Sequence, residues 1–335
     1  MSLNNNEDAL SFVVPEDKLG ERLDKVLAEL MPQISRARLQ TWIEDGAVVV
    51  NDEVATKVRQ KVSAGDEIEV TAQPSPQELA FQPADIDVDV VYEDDTIMVV
   101  NKPAGLVVHP AAGHWNDTLL NGLLNRNPEL RVLPRAGIVH RLDRDTTGLM
   151  VIAKTVEAQT DLIRQLQART VKREYWALAY GKAPEAGFID EPLMRDPGAP
   201  MRFCVGSGAR SKEAKTHVRL VDMTSVDGVG SVPLSVSWVA CRLDTGRTHQ
   251  IRVHMQWAGL PLVGDPVYKG KIAKLPEGSL LANIKRQALH ASRLGLVHPE
   301  TKEPMQWFVP PPEDLYQLMQ ALGFEGLDEP VTVFD

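Results

Sequence analysis

Only two cysteines occur in 335 residues, Cys204 and Cys241, with no CxxC pair and no zinc-type spacing. That argues against a disulfide-stapled secreted scaffold and a structural zinc module, and suits free thiols in a reducing cytoplasm. No apolar run approaches the ~20 residues that a bilayer span requires. The opening MSLNNNEDAL has neither a basic start nor an apolar centre, so it does not read as a signal peptide. Excess positive charge is also lacking: the formal net charge is −10. This argues against indiscriminate binding of nucleic acid, but net charge is a sum over the molecule and binding is local. Residues 135–175 hold eight Lys or Arg against five Asp or Glu, and residues 201–257 hold eight against four. The acidic excess lies in residues 85–95 and at the two ends, so a basic surface remains open to the chain.

Along the chain, GERLDKVLAEL places Leu23, Val26, Leu27 and Leu30 on one face of a helix. In ISRARLQTWIEDG, Ser35 is a suitable N-cap and Gly46 a suitable left-handed stop around Leu39, Trp42 and Ile43. AVVVN and DEIEV read as strands. Three prolines in TAQPSPQELAFQP read as a linker. Beyond it lie strand candidates: two around an acidic turn in VDVVYEDDTIMVVNKPAG, then GLMVIAK, REYWALAYG, KTHVRLVDM, SVSWVACRLDTG and THQIRVHM. Helices such as EAQTDLIRQLQAR are interspersed without strict alternation. The pattern predicts an α+β fold on a mixed, largely antiparallel sheet, preceded by a small helix–strand domain. The expected boundaries are a polar tail at 1–17, the small domain at 18–75, a linker at 76–88, the main domain at 89–325 and a C-terminal tail at 326–335.

Three stretches carry candidate chemistry. In HRLDRDTTG (residues 140–148), Asp143 and Asp145 sit among arginines. A carboxylate beside guanidinium groups stays ionised, which suits a nucleophile or an electrostatic role better than a general acid. Asp and Thr before Gly also form ordinary turns. The same residues fit the D-x-D-x-T pattern of haloacid dehalogenase phosphatases, but the apolar strand those enzymes need before the first Asp is missing, and GDPVYKG supplies only one late acid. In TGRTHQIRVH (residues 245–254), strand alternation would put polar groups on both faces, which is costly unless the segment lines a cleft or meets a polyanion. His249 and His254 would then face opposite ways with no third ligand, so no metal is expected. In VKREYWALAYG, Tyr175 follows the basic pair Lys172 and Arg173, an arrangement suited to stacking an unpaired base. A lone tyrosine is more often a core residue.

Taken in order, HRLD-x-D-T-T-G-L-M, R-E-Y-x-A and T-G-R-T-H-Q-I-R-V-H resemble the pseudouridine synthases of the RluA family. NKPAGLVVHP, PLVGDPVYKG and LHASRLGLVHP resemble further landmarks of that family, and residues 35–51 resemble its frequent S4 RNA-binding domain. The resemblance implies that Asp143 is the catalytic aspartate, Arg252 the basic residue paired with it, Tyr175 the tyrosine that stacks on the target uracil, and Arg141 an RNA-holding arginine. Asp145 is then structural. In the S4-like unit, Arg36, Arg38, Lys57, Arg59 and Lys61 are candidate phosphate contacts, against the plain reading of solvated surface charge. No cofactor is implied, because isomerising uridine changes no oxidation state; neither a glycine-rich nucleotide loop nor a metal cluster is seen in the sequence. The expected partner is large-subunit ribosomal RNA or the assembling subunit, at loop uridines of the intersubunit-bridge stem-loop, for a cytoplasmic, monomeric enzyme. Other ribosomal sites or transfer RNA are alternative substrates. A non-catalytic assembly factor is disfavoured because Asp143, Tyr175 and Arg252 are all present.

Overall fold

The computed structural model describes residues 9–73, 76–227, 233–270, 275, 278–331 and 334. The chain divides into two compact units, the first ending at Leu79 and the second starting at Ala80. Among the described residues no helix is long and apolar enough to cross a membrane.

The first unit contains β1 (Ala9–Val13), α1 (Leu23–Leu30), α2 (Arg36–Glu44), β2 (Val48–Val50), β3 (Glu53–Val54), β4 (Glu67–Thr71) and the short α3 (Pro76–Leu79). The strands form one antiparallel sheet in the order β1-β4-β2-β3. Leu23, Val26 and Leu27 of α1 meet Leu39, Trp42 and Ile43 of α2 over Val48, Val50, Ile68 and Val70 of the sheet. In β4 the alternation buries Ile68 and Val70 while Glu67 and Glu69 face solvent. Ser35 caps α2 by accepting from the Arg38 N–H, and Gly46 ends it at φ +75°.

The expected polar tail is corrected by β1. Residues 9–13 pair with β4 throughout, because Phe12 covers the apolar core and the ladder satisfies their backbone groups. Residues 1–8 of that tail lie outside the described residues. The expected linker at 76–88 is also shortened. Residues 80–88 belong to the second unit, where Asn121 donates to the Gln82 carbonyl at 2.8 Å and Val88 packs on the core.

The second unit holds β5 (Val90–Glu93), β6 (Ile97–Lys102), α4 (Leu119–Arg126), β7 (Thr147–Ala153), α5 (Val156–Gln167), β8 (Lys172–Tyr180), β9 (Ala186–Asp190), β10 (Leu193–Arg195), β11 (Phe203–Val205), β12 (Lys215–Val226), β13 (Leu234–Leu243), α6 (Gln250–Trp257), β14 (Leu289–Val297), β15 (Pro304–Phe308) and α7 (Glu313–Ala321). Among the described residues, nine strands form one mixed sheet in the order β5-β6-β7-β14-β8-β13-β12-β9, with β15 added on β14. Within this sheet, among the described residues, only β7 and β14 pair in parallel; the other neighbours are antiparallel.

The sheet separates two cores. In β8, Tyr175, Ala177 and Ala179 face one core with Val239 and Cys241, while Trp176, Leu178 and Tyr180 face the other with Trp238, Leu315 and Leu318. A slip of one residue would exchange these sets, so both cores pin the register. The C-terminal stretch is not a free tail. Leu327 is buried, and Arg242 donates to the Phe334 carbonyl at 3.0 Å with its guanidinium over the ring; residues 332, 333 and 335 lie outside the described residues.

Candidate active site

Asp143 sits in the loop before β7, in a turn closed by the Thr146 N–H donating to its carbonyl at 3.1 Å. The chain then needs glycine. Gly148 lies at φ +111°, and a Cβ there would come within 2.2 Å of the Ala291 carbonyl oxygen. The glycine thus lets β7 approach β14 and holds the loop against the sheet. Thr147 fixes the same junction, because its hydroxyl lies 2.8 Å from Nδ1 of buried His290. Burial pushes His290 down to about 4, so the ring is neutral. Its Nε2–H donates to the Val309 carbonyl at 3.1 Å, leaving Nδ1 to accept from Thr147.

TGRTHQIRVH corrects the strand expectation. His249 takes a left-handed conformation at φ 57°, and α6 begins at Gln250. Residues 250–255 are all buried, so this stretch has no solvent-exposed polar face to reveal its period. The alternating Ile251, Val253 and Met255 imitate a strand for that reason. His249 and His254 are engaged separately: His254 bonds the Thr216 hydroxyl and the Glu191 carbonyl, and His249 Nδ1 lies 2.8 Å from the Tyr268 hydroxyl.

The helix carries Arg252 under Asp143. Its Nη1 donates to Asp143 Oδ2 at 3.0 Å, while Nε and Nη2 donate to Asp265 at 2.7 and 3.0 Å. Asp265 is fully buried and also accepts from the Val267 and Tyr268 N–H groups at 2.8 and 2.9 Å. Burial alone would raise its pKa; the Arg252 bonds outweigh burial and hold it below the usual carboxylate range. Arg252 lies 5.0 Å above the Tyr268 ring and is held above the ordinary arginine value by the two carboxylates, against the effect of burial. Among the described residues, Asp143 Oδ1 has no protein partner, so one oxygen stays free for chemistry.

Asp143, Tyr175, Arg252 and Arg141 all line one cavity of about 550 Å³. Tyr175 is 5% exposed on β8, and burial pushes its hydroxyl up to about 12, so it keeps its proton at neutral pH. Arg135, Arg169, Arg173 and Arg247 line the same cavity. Asp145 turns to Arg144 instead, at 3.2 Å. The phosphatase reading loses its geometry: no strand runs directly into Asp143, and the late acid Asp265 is occupied by Arg252.

The basic residues of the first unit do different things. Arg36 donates to buried Asp24 at 2.7 and 2.9 Å, beside Arg22 and Gln40, and so ties α2 to α1. Arg38 donates to the Gln73 carbonyl and lies over Trp42. Lys57, Arg59 and Lys61 are exposed, with no ion pair among the described residues.

Sequence reasoning missed Asp265 and Lys102, and took Arg173 only as half of the basic pair before Tyr175. Asp265 was visible only as the lone acid of GDPVYKG. Lys102 is 1% exposed, and its ammonium donates to the carbonyls of Pro103, Leu106 and Arg144 at 2.7, 2.9 and 2.8 Å. It therefore fastens the NKPAG loop to the loop carrying Asp143. A lysine next to a strand end gives no sign of such burial in one sequence.

Comparison with known proteins agrees with this geometry. Residues 96–257 match the RNA pseudouridylate synthase family, and residues 21–68 match the S4 domain. Ribosomal large subunit pseudouridine synthase D of Neisseria meningitidis serogroup A is 48% identical over 338 residues, spanning 99% of this chain and 87% of that protein. The protein of that name in Escherichia coli K12 is 45% identical, over 93% of this chain and 94% of its own length. Among solved structures, human RNA pseudouridylate synthase domain containing 4 superposes with a TM-score of 0.53 at 24% identity, covering 71% of this chain and 94% of that one. That likeness speaks for the fold.

Proposed function

The chain belongs to the RNA pseudouridylate synthase family, with an S4 domain before the catalytic unit, and from that membership we propose that it converts uridines of large-subunit ribosomal RNA to pseudouridine. The observation that carries this reading is Arg252 bridging Asp143 to buried Asp265 beside Tyr175 in an arginine-lined cavity. The relatives' name points to the large subunit as the source of the RNA. Within it, loop uridines of the intersubunit-bridge stem-loop are the proposed targets, reached by a monomer in the cytoplasm.

The reaction breaks the N-glycosidic bond, turns the uracil in place and joins C5 to C1′, with the C5 proton lost and N1 gaining one, so that the net change is an isomerisation. The target has to leave its stack before the cavity can hold it. Tyr175 offers a ring face to the flipped base, and Arg141 is exposed at the cavity wall to hold the strand. Arg252 fixes one Asp143 oxygen and leaves the other facing the reacting nucleotide. From there Asp143 serves attack at C1′, attack at C6, or removal of the 2′ proton to give a glycal. Each route needs water kept from the cleaved base, a task for buried Leu142 and Ile251 at the cavity wall.

The test is pseudouridine mapping by carbodiimide labelling and primer extension, on large-subunit RNA from cells lacking the protein. Signals that vanish in those cells and return with wild type, but not with Asp143→Asn, are expected. An unchanged map would overturn the proposed substrate, and full restoration by Asp143→Asn would overturn the role of Asp143.

A further inference from the structure

Arg173 enters the cavity from β8, two residues before Tyr175 on the same face of the strand. It is 7% exposed. A guanidinium has five N–H donors. Among the described residues this one makes a single hydrogen bond, to the Leu243 carbonyl at a long 3.4 Å. Its Nε–H is buried without any partner. Among the described residues no carboxylate lies within ion-pair distance; Asp244, the acidic group whose field reaches it, is bonded to His217 at 3.0 Å. Arg252, buried to a similar degree, has two carboxylates instead. A buried cation without a counter-ion is strongly unfavourable, so Arg173 is held at a cost to the fold.

The neighbouring chain leaves room for it. A Cβ on Gly246 would stand 2.7 Å from Arg173 Nη1, and the Gly246 backbone does not need the left-handed region. A side chain there would have to displace the guanidinium, while the turn itself makes no demand for glycine. A second buried group in the same cavity is also unsatisfied: His109 Nε2 has no partner, and burial lowers that ring to about 4, so it adds no charge.

We infer that Arg173 is an anion seat of the cavity, binding a phosphate of the RNA strand at the nucleotide that enters beside Tyr175. The inference rests on the reading of the site as an RNA-modifying one. A uracil carbonyl would fill a hydrogen bond but leave the buried charge unbalanced. A phosphate answers both needs and matches the planar fork of a guanidinium. The unpaired state of Arg173 is then the resting form of a binding site.

The experiment uses the full chain and a stem-loop oligonucleotide carrying a uridine mapped as a target. Affinity is measured in the Asp143→Asn background, with each phosphate around the uridine replaced in turn by an uncharged methylphosphonate. Arg173→Gln is expected to weaken binding about ten- to hundredfold, the worth of a charge-assisted bond, and to reduce the salt slope by about one. The unfolding temperature of Arg173→Gln should stay level or rise, because a costly buried charge has gone. One methylphosphonate should weaken wild-type binding to the same extent and add nothing in Arg173→Gln. Gly246→Ala keeps the charge but displaces Nη1, and should weaken binding with the fold retained. A fall in unfolding temperature with unchanged affinity would make Arg173 structural and overturn the inference. Additive losses at every phosphate would overturn it too. Wild type that isomerises and binds the oligonucleotide while Arg173→Gln matches it would remove this inference alone. Wild type that neither binds nor isomerises ribosomal RNA would remove the proposed function as well.

Discussion

Asp265→Asn should damage the fold far more than Asp143→Asn, although only Asp143 is read as meeting the RNA. Four donors converge on Asp265: Nε and Nη2 of Arg252 and the N–H groups of Val267 and Tyr268. A carboxylate accepts all four, whereas an asparagine must turn its NH₂ toward at least one of them. The position is fully buried, so water cannot substitute. Breaking a buried ion pair from one side costs about 3–5 kcal/mol. Asp143 is 17% exposed and gives up one bond to Arg252; an asparagine carbonyl can still accept it, and Arg252 keeps Asp265. A loss below about 1 kcal/mol is expected there. Urea unfolding followed by the fluorescence of Trp176 and Trp238, both buried in the core of the second unit on the far face of the sheet from Tyr175, measures the two variants. Equal destabilisation, or an Asp265→Asn variant as stable as wild type, would refute the reasoning. The pH dependence is a second check. The folded pKa of Asp265 lies below its unfolded value, so its contribution is present above the unfolded value and lost as pH falls through the folded one. The gap between Asp265→Asn and wild type should close in acid.

Tyr175→Phe keeps the stacking ring, so RNA affinity should hold while turnover falls by about 10²-fold or more if the hydroxyl moves a proton; unchanged single-turnover rates would confine Tyr175 to stacking. For His290, held down to about 4 by burial, stability is full above the unfolded value near 6.5 and is lost as pH falls toward 4, by about 3 kcal/mol over that window. His290→Gln should flatten that slope in denaturation curves taken across the range. Gly148→Ala drives a Cβ into the Ala291 carbonyl at 2.2 Å and should yield little soluble protein; a well-folded variant would contradict the close β7–β14 approach. Removing residues 1–79 should leave the catalytic unit folded by circular dichroism but weaken RNA binding and its salt dependence, as exposed Lys57, Arg59 and Lys61 are lost; an unchanged salt slope would rule out a phosphate-binding role for that unit.

Much was legible in the sequence because it was local. The α1 and α2 faces, the Ser35 cap, the Gly46 stop, the alternation of β4 and the apolar runs of β7 and β8 each follow from residues a few positions apart. Errors arose where the deciding neighbour is distant. Residues 9–13 read as polar tail until β4 supplies their ladder. THQIRVHM reads as a strand because residues 250–255 of α6 are all buried, and period is visible only when one face is wet. The threonine of Thr-Thr-Gly has its reason in His290, 143 residues further along.

The sequence by itself determined the kinds of element, the mixed α+β character, and the ordered set of Asp143, Tyr175 and Arg252. Only the tertiary structure decided what those side chains share. It placed Arg252 between two carboxylates 109 and 13 residues away, buried Lys102 against the loop of Asp143, and left Arg173 in the cavity wall without a counter-ion among the described residues. The physical reason is that hydrophobic period and capping act over one or two turns of chain, whereas desolvation and charge pairing depend on what the whole fold brings within about 4 Å.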